Sequence, residues 1–164
     1  MRSTHGVKFR QATTDDVPLM VQCHLADPTG SVPDTRIAAY LDGQHHPQKA
    51  LLERVGFVAL AGSKVVGYLA GHLTTRHDCH GEIQYLFVAP EYRRQGIATT
   101  LVGLLADWFQ EQDARKVCVG VANDSPPEAQ PFFENIGASP LKKNWYAWKD
   151  IGVVQDAKIG RAHV

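Results

Sequence analysis

The run Arg93-Arg94-Gln95-Gly96-Ile97-Ala98 is where the residue types of this chain come closest to a defined chemistry. Ile97, Leu101, Leu104, Leu105 and Trp108 follow at helical spacing, so the run opens a helix with one apolar face. The first N–H groups of a helix have no partner inside it, and the macrodipole places partial positive charge there. Gly96 has no Cβ and lets an anion approach the backbone, while small Ala98 keeps the next position open. The dipole contributes roughly 0.3–1 kcal/mol, and about 2 when partly buried; Arg93 and Arg94 add full charges. Together they suit a pyrophosphate. The P-loop pattern and G-x-G-x-x-G are both absent, which removes two common phosphate fingerprints.

A strand must deliver that turn. Glu82-Ile83-Gln84-Tyr85-Leu86-Phe87-Val88 is apolar and β-rich, and Pro90, with no N–H for a ladder, ends it. Upstream, Val7 to Ala12 alternates as a first strand. Thr13-Thr14-Asp15-Asp16 and Pro18 then start a helix reaching about Leu25. A short helix with Ile37, Ala38 and Leu41 is stopped by Gly43, and Pro47 opens another carrying Leu51, Leu52 and Val55 as far as Gly56. Phe57–Ala61 and Lys64 to about Thr75 form a hairpin through Gly62-Ser63. After the central helix come a strand from Val117 to Ala122, a helix from Glu128 to Ile136, and strands over Ala138–Lys142 and Asn144–Lys149. Residues after Ile151 show little pattern. Strands on both sides of the central helix predict an α/β chain, a mixed sheet covered by helices on both faces.

With 164 residues the chain is long enough for one domain with a real core. Seventeen basic and seventeen acidic side chains cancel, which argues against general nucleic-acid or anionic-membrane binding. No segment approaches ~18 uninterrupted apolar residues, and the first residues lack the apolar core of a secretory signal. Cys23, Cys79 and Cys118 are odd in number and widely spaced, as expected of reduced thiols in a cytoplasmic protein. His72, His77, Cys79, His80 and Glu82 contain a His-x-x-His pair, but exposed histidines in a polar turn are the simpler reading, and no metal is expected. The strand alternation of Trp145, Tyr146, Ala147 and Trp148 suggests core packing, with an acceptor-pocket wall as the other reading.

From Arg93 the turn reads R-x-x-G-x-A. With the preceding Val88-Ala89-Pro90-Glu91-Tyr92 it resembles the pyrophosphate loop of the GNAT superfamily of acetyl-CoA-dependent N-acetyltransferases. The later Phe132-Phe133-Glu134-Asn135-Ile136-Gly137-Ala138 strengthens the likeness, which runs from about Val7 to about Lys149. It implies a GNAT domain over residues 3–150 with a tail at 151–164, and a mixed sheet whose middle strands, those of Glu82 and Val117, splay around the cofactor. Acetyl-CoA would pair through its pantetheine with the backbone of Leu86, Phe87 and Val88. Its pyrophosphate would sit on Arg94, Gln95, Gly96, Ile97, Ala98 and Thr99, with Arg93 adding charge.

The same resemblance implies an acyltransferase that acetylates a primary amine of a small molecule or peptide, by direct attack in a ternary complex. An alkyl amine of pKa ~10.4 is protonated at neutral pH, so a base is useful. Glu82, fourteen residues before Gly96, stands where histone-acetylating relatives place their glutamate; a solvated residue at the sheet rim is the alternative. Asn123 is at the position of a residue that orients cofactor or water, in a longer loop, and Ser125 there equally suits a helix cap. The usual tyrosine acid is replaced by Phe133, which can pack on the cofactor but cannot donate a proton. Tyr146 is a substitute acid by composition, as are Tyr85 and Tyr68. A non-catalytic acyl-CoA-binding module and a transferase of another acyl group remain as rivals, with homodimerisation left open.

Overall fold

The computed structural model describes residues 6–27, 36–122 and 125–155. Among these residues, seven strands form one sheet: β1 (Val7–Gln11), β2 (Ala50–Ala61), β3 (Lys64–Thr74), β4 (Gly81–Val88), β5 (Val117–Gly120), β6 (Ser139–Lys142) and β7 (Trp145–Trp148). Their order is β1-β2-β3-β4-β5-β7-β6, antiparallel throughout except for the parallel pair β4·β5. The α-helices described beside them are α1 (Val17–Leu25), α2 (Ile37–Leu41), α3 (Ile97–Glu111) and α4 (Ala129–Asn135). The mixed sheet with helices on both faces is the expected α/β arrangement.

Each face of the sheet has its own core. Leu101, Leu105 and Phe109 of α3 pack with Leu69, Ile83, Phe133 and Trp148 on one side. Met20 and Cys23 of α1 and Ile37 of α2 pack with Val58, Val65 and Tyr68 on the other. A capping box at Thr13 and Asp16 starts the chain into α1, and Arg10 holds Asp16 through two bonds of 2.9 and 2.8 Å. At Gly81 a Cβ would overlap the Phe109 ring, so α3 can lie flush on the sheet there only because the residue is glycine.

One expectation fails. No helix forms from Pro47 to Gly56: residues 50–56 are the first half of β2, and Leu51 and Leu52 are exposed on it. Leu-Leu three residues before Val55 mimics a helical stripe, but Arg54 ties the segment down by donating to the carbonyls of Tyr40, His45, Leu51 and Leu52. Packing also continues past residue 150. Ile151 and Val154 are buried, and Gln155 donates to the Gly103 carbonyl of α3 at 2.7 Å.

Two irregularities shape the centre. Between β3 and β4 the register runs Gly71↔Ile83 and then Ala70↔Tyr85, so Gln84 is an extra residue, a β-bulge. Pairing of β4 with β5 covers only Gly81↔Val117, Glu82↔Cys118 and Ile83↔Val119. Beyond that point the two parallel strands part, and one edge of residues 84–88 has no strand partner among the described residues.

Candidate active site

The wide end of the split leads to the turn before α3. Gly96 is the N-cap of α3 with φ +84°, a left-handed conformation that glycine adopts without penalty. Gly96 has no side chain with which to cap this helix, whose first N–H groups have no partner inside it. Arg94 also has positive φ and is exposed, with no side-chain contact recorded among the described residues. Arg93 behaves differently from the expectation that both arginines serve a phosphate. Its Nε donates to the Val88 carbonyl at 2.8 Å, its Nη2 lies 3.6 Å from Asp27, and the guanidinium covers the Phe87 ring. Arg93 fastens the turn to the end of β4. Gln95 donates weakly to Glu91 O at 3.3 Å, Ile97 and Thr99 are buried, and Ala98 is half-buried.

At the narrow end sits Glu82, 4% exposed and facing away from α3. Two cationic or protonatable groups reach the same oxygen: Arg76 Nε at 3.1 Å from Oε1 and His72 Nε2 at 3.4 Å. Among the described residues no hydrogen bond is recorded to Oε2. Arg76 is held in turn by the Gln48 carbonyl and by stacking over Trp145. Beside these groups lies a cavity of about 340 Å³, lined by Arg76, Glu82, Gln84, Val121, Asn144 and Trp145. Its size falls at the lower end of the ~300–1,000 Å³ of small-molecule sites. Leu86 and Phe87 are half-buried and Val88 is buried along the unpaired edge that connects cavity and turn.

Other expected residues lie elsewhere. Tyr146 alternates with Trp145 and points to the α3 side, the face opposite Glu82, so it does not share the cavity. The Phe133 ring is 5% exposed and packs edge-on against Phe132 and Trp148, giving it to the core rather than the cleft. Asn123 lies outside the described residues. Tyr68 is held by His24 Nδ1 at 2.7 Å, and Tyr85 meets Tyr40 edge-on. Cys118 is fully buried and burial pushes its thiol far up, so it offers no thiolate nucleophile. Of the turn histidines, His80 is exposed but His77 packs against Trp145, and burial lowers its pKa. Among the described residues no group of three or more His, Cys, Asp or Glu could hold a metal ion.

An uncapped glycine turn at the mouth of a split β4·β5 pair is what the sequence motif required, and residues 21–138 match the sequence profile of the acetyltransferase (GNAT) family. The chain belongs to that family. It is thus an acyltransferase, of a family that uses acetyl-CoA. A stretch of 77 residues is 31% identical to the N-terminal acetyltransferase B complex catalytic subunit NAA20 of Arabidopsis thaliana, covering 46% of this chain and 44% of that one. The match therefore spans less than half of that relative. An acetyltransferase from Thermus thermophilus superposes with TM-score 0.65 at 18% identity, over 86% of this chain and 95% of that one. The PaiA N-acetyltransferase of Thermoplasma acidophilum, crystallised with coenzyme A, gives 0.59 at 14% identity over 86% and 96%. At such identities the two structures speak for the fold alone. No helix of this GNAT domain is long and apolar enough to cross a membrane, among the described residues.

The GNAT cleft also draws in groups that the sequence pattern did not single out for it. Arg76 sits six residues before Glu82 in a turn, Gln84 lies on the bulge, and Tyr40 arrives from α2. The one available signal was His72, a histidine within an otherwise apolar strand.

Proposed function

We propose that this chain transfers the acetyl group of acetyl-CoA to a primary amine by direct attack in a ternary complex, with Glu82 as the base. The observation that carries the reading is a buried carboxylate with Arg76 and His72 at one oxygen and, among the described residues, no hydrogen bond to the other, beside a cavity at the point where β4 and β5 part. Bound acetyl-CoA supplies the activated acyl group. Glu82 removes a proton from the acceptor amine, directly or through one water, so that a nitrogen lone pair is free to react. The N–H groups at Gly96 to Thr99 and the Arg94 side chain hold the pyrophosphate, while Arg93 keeps the turn in place. The unpaired edge of Leu86, Phe87 and Val88 receives the pantetheine as a strand would.

Among the described residues no tyrosine lines the cavity beside Glu82, and none is needed for the leaving group. An alkyl thiol has a pKa near ~8.5 and departs readily, with water or the attacking amine returning the proton. Thiol release from acetyl-CoA, followed with polyamines, aminoglycosides, amino acids and free peptide N-termini, tests the reading. Release that depends on an amine and on Glu82 supports it. Tight acetyl-CoA binding without release under any amine would make the chain a binding module instead, and release from a longer acyl-CoA alone would change the donor.

A further inference from the structure

His72 is fully buried on β3 between Gly71 and Leu73, and Tyr40, equally buried, reaches it from α2. An imidazole and a phenol in such places cost free energy unless each finds a polar partner. The Tyr40 hydroxyl lies 2.8 Å from His72 Nδ1. Burial drives its pKa far above the ordinary value, so it remains a phenol with a proton to donate. If that proton goes to Nδ1, the neutral ring carries its own on Nε2, the nitrogen that faces Glu82 Oε1. The opposite tautomer would set a lone pair against a carboxylate. At 3.4 Å, Nε2 is within ion-pair reach of Oε1 but makes no aligned hydrogen bond to it, so a small movement of the carboxylate is needed to complete the contact. Arg54 lies over the Tyr40 ring and Arg76 meets Glu82, so cations face both ends of the chain.

We propose that Tyr40 and His72 form a buried positioning pair for Glu82: the ordered Tyr40 O–H···Nδ1–His72–Nε2–H···Oε1 line fixes one carboxylate oxygen and turns Oε2 to the cavity. Neither residue touches substrate; the pair acts through Glu82, and the inference rests on Glu82 being the base. Arg76 alone supplies charge to Oε1, whereas His72 adds a second direction and so fixes the plane of the carboxylate. That plane decides whether the working oxygen meets the amine.

The test is a double-mutant cycle on thiol release, using acetyl-CoA and the best acceptor of the amine panel. His72→Leu is expected to lower kcat about 10–100-fold, the scale of a misplaced catalytic group, with the calorimetric Kd for acetyl-CoA unchanged. His72→Gln keeps an N–H toward Glu82 and recovers most of the rate, and Tyr40→Phe loses about 2–5-fold. In a Glu82→Gln background, adding His72→Leu costs nothing further, because the group it positions is gone. An equal loss in both backgrounds, or full rate in His72→Leu, overturns the pair while leaving Glu82 as the base. Full rate in Glu82→Gln overturns the base reading and this inference with it. Should His72→Leu fail to fold, the same cycle with Tyr40→Phe decides, since its effect must likewise vanish without the carboxylate.

Discussion

At one end of β4 the turn into α3 is a consecutive run, Arg93–Thr99, shaped by its backbone. At the other end Glu82 meets His72 from β3, with Tyr40 of α2 behind it, and Arg76 from a turn, itself lying over Trp145 of β7. The first region is open to solvent and depends on conformation: a left-handed glycine and an uncapped helix. The second has its carboxylate buried beside a cavity and depends on side chains brought together over long sequence separations. On the function proposed above, the first would hold a ligand that arrives charged and the second would keep a single carboxylate oriented. Damage to the first should therefore appear in binding, and damage to the second in turnover.

Gly96→Asp is the hardest blow to this division. A side chain with negative charge would strain the left-handed N-cap and stand in the anion's place, so calorimetric titration should show no acetyl-CoA binding in a mutant whose circular dichroism is intact. Unchanged affinity would remove the turn from the site. Next comes Glu82→Gln, expected to slow turnover about 10²–10⁴-fold near neutral pH with cofactor affinity nearly unchanged. The loss should narrow as pH rises, because more amine is already free; a loss independent of pH would place Glu82 outside proton transfer.

The two arginines sharpen the comparison within the turn itself. Arg94→Ala should weaken acetyl-CoA binding roughly tenfold or more, the equivalent of a charged hydrogen bond of about 1.5–3 kcal/mol, with thermal stability preserved. Arg93→Ala should do the reverse in kind, lowering the melting temperature because it removes the donor to Val88 O and an ion pair with buried Asp27. Reversed phenotypes would mean that the assignments are exchanged. The smallest effect belongs to Tyr146→Phe, expected below about tenfold in turnover, since its hydroxyl lies across the sheet from Glu82. A pH–rate profile that loses an alkaline limb in this mutant would instead make Tyr146 the acid.

The same contrast explains what can be read from the residues in order. R-x-x-G-x-A with a strand before it and an apolar helical stripe after it is local, and strand, turn and helix all appear where they are expected. Arg93 is legible as a charge but not as an inward anchor, because its partners Asp27 and Val88 O are set by packing. Segment 50–56 reads as a helix because a Leu-Leu pair with Val55 satisfies a helical period, while the ladder to β3 that overrides it is a long-range fact. Glu82 and Leu86 have the same parity along the strand, yet they face opposite sides, since the bulge at Gln84 resets the alternation. His72 stands out only as a polar residue in apolar company; its distance to Glu82 is invisible in the chain order.

That bulge has a consequence for how the chain tolerates change in length. Remove Gln84 and the ladder becomes regular, with His72 still opposite Glu82 and Ala70 still opposite Tyr85. Glu82 would keep its facing and its partners, but β4 would lose the local bend that accompanies its departure from β5. A single-codon deletion there would keep Glu82 opposite His72 while removing the bend. The bend of β4 and the facing of its carboxylate are thus separable: the first needs the extra residue at Gln84, the second only the pairing of Glu82 with His72.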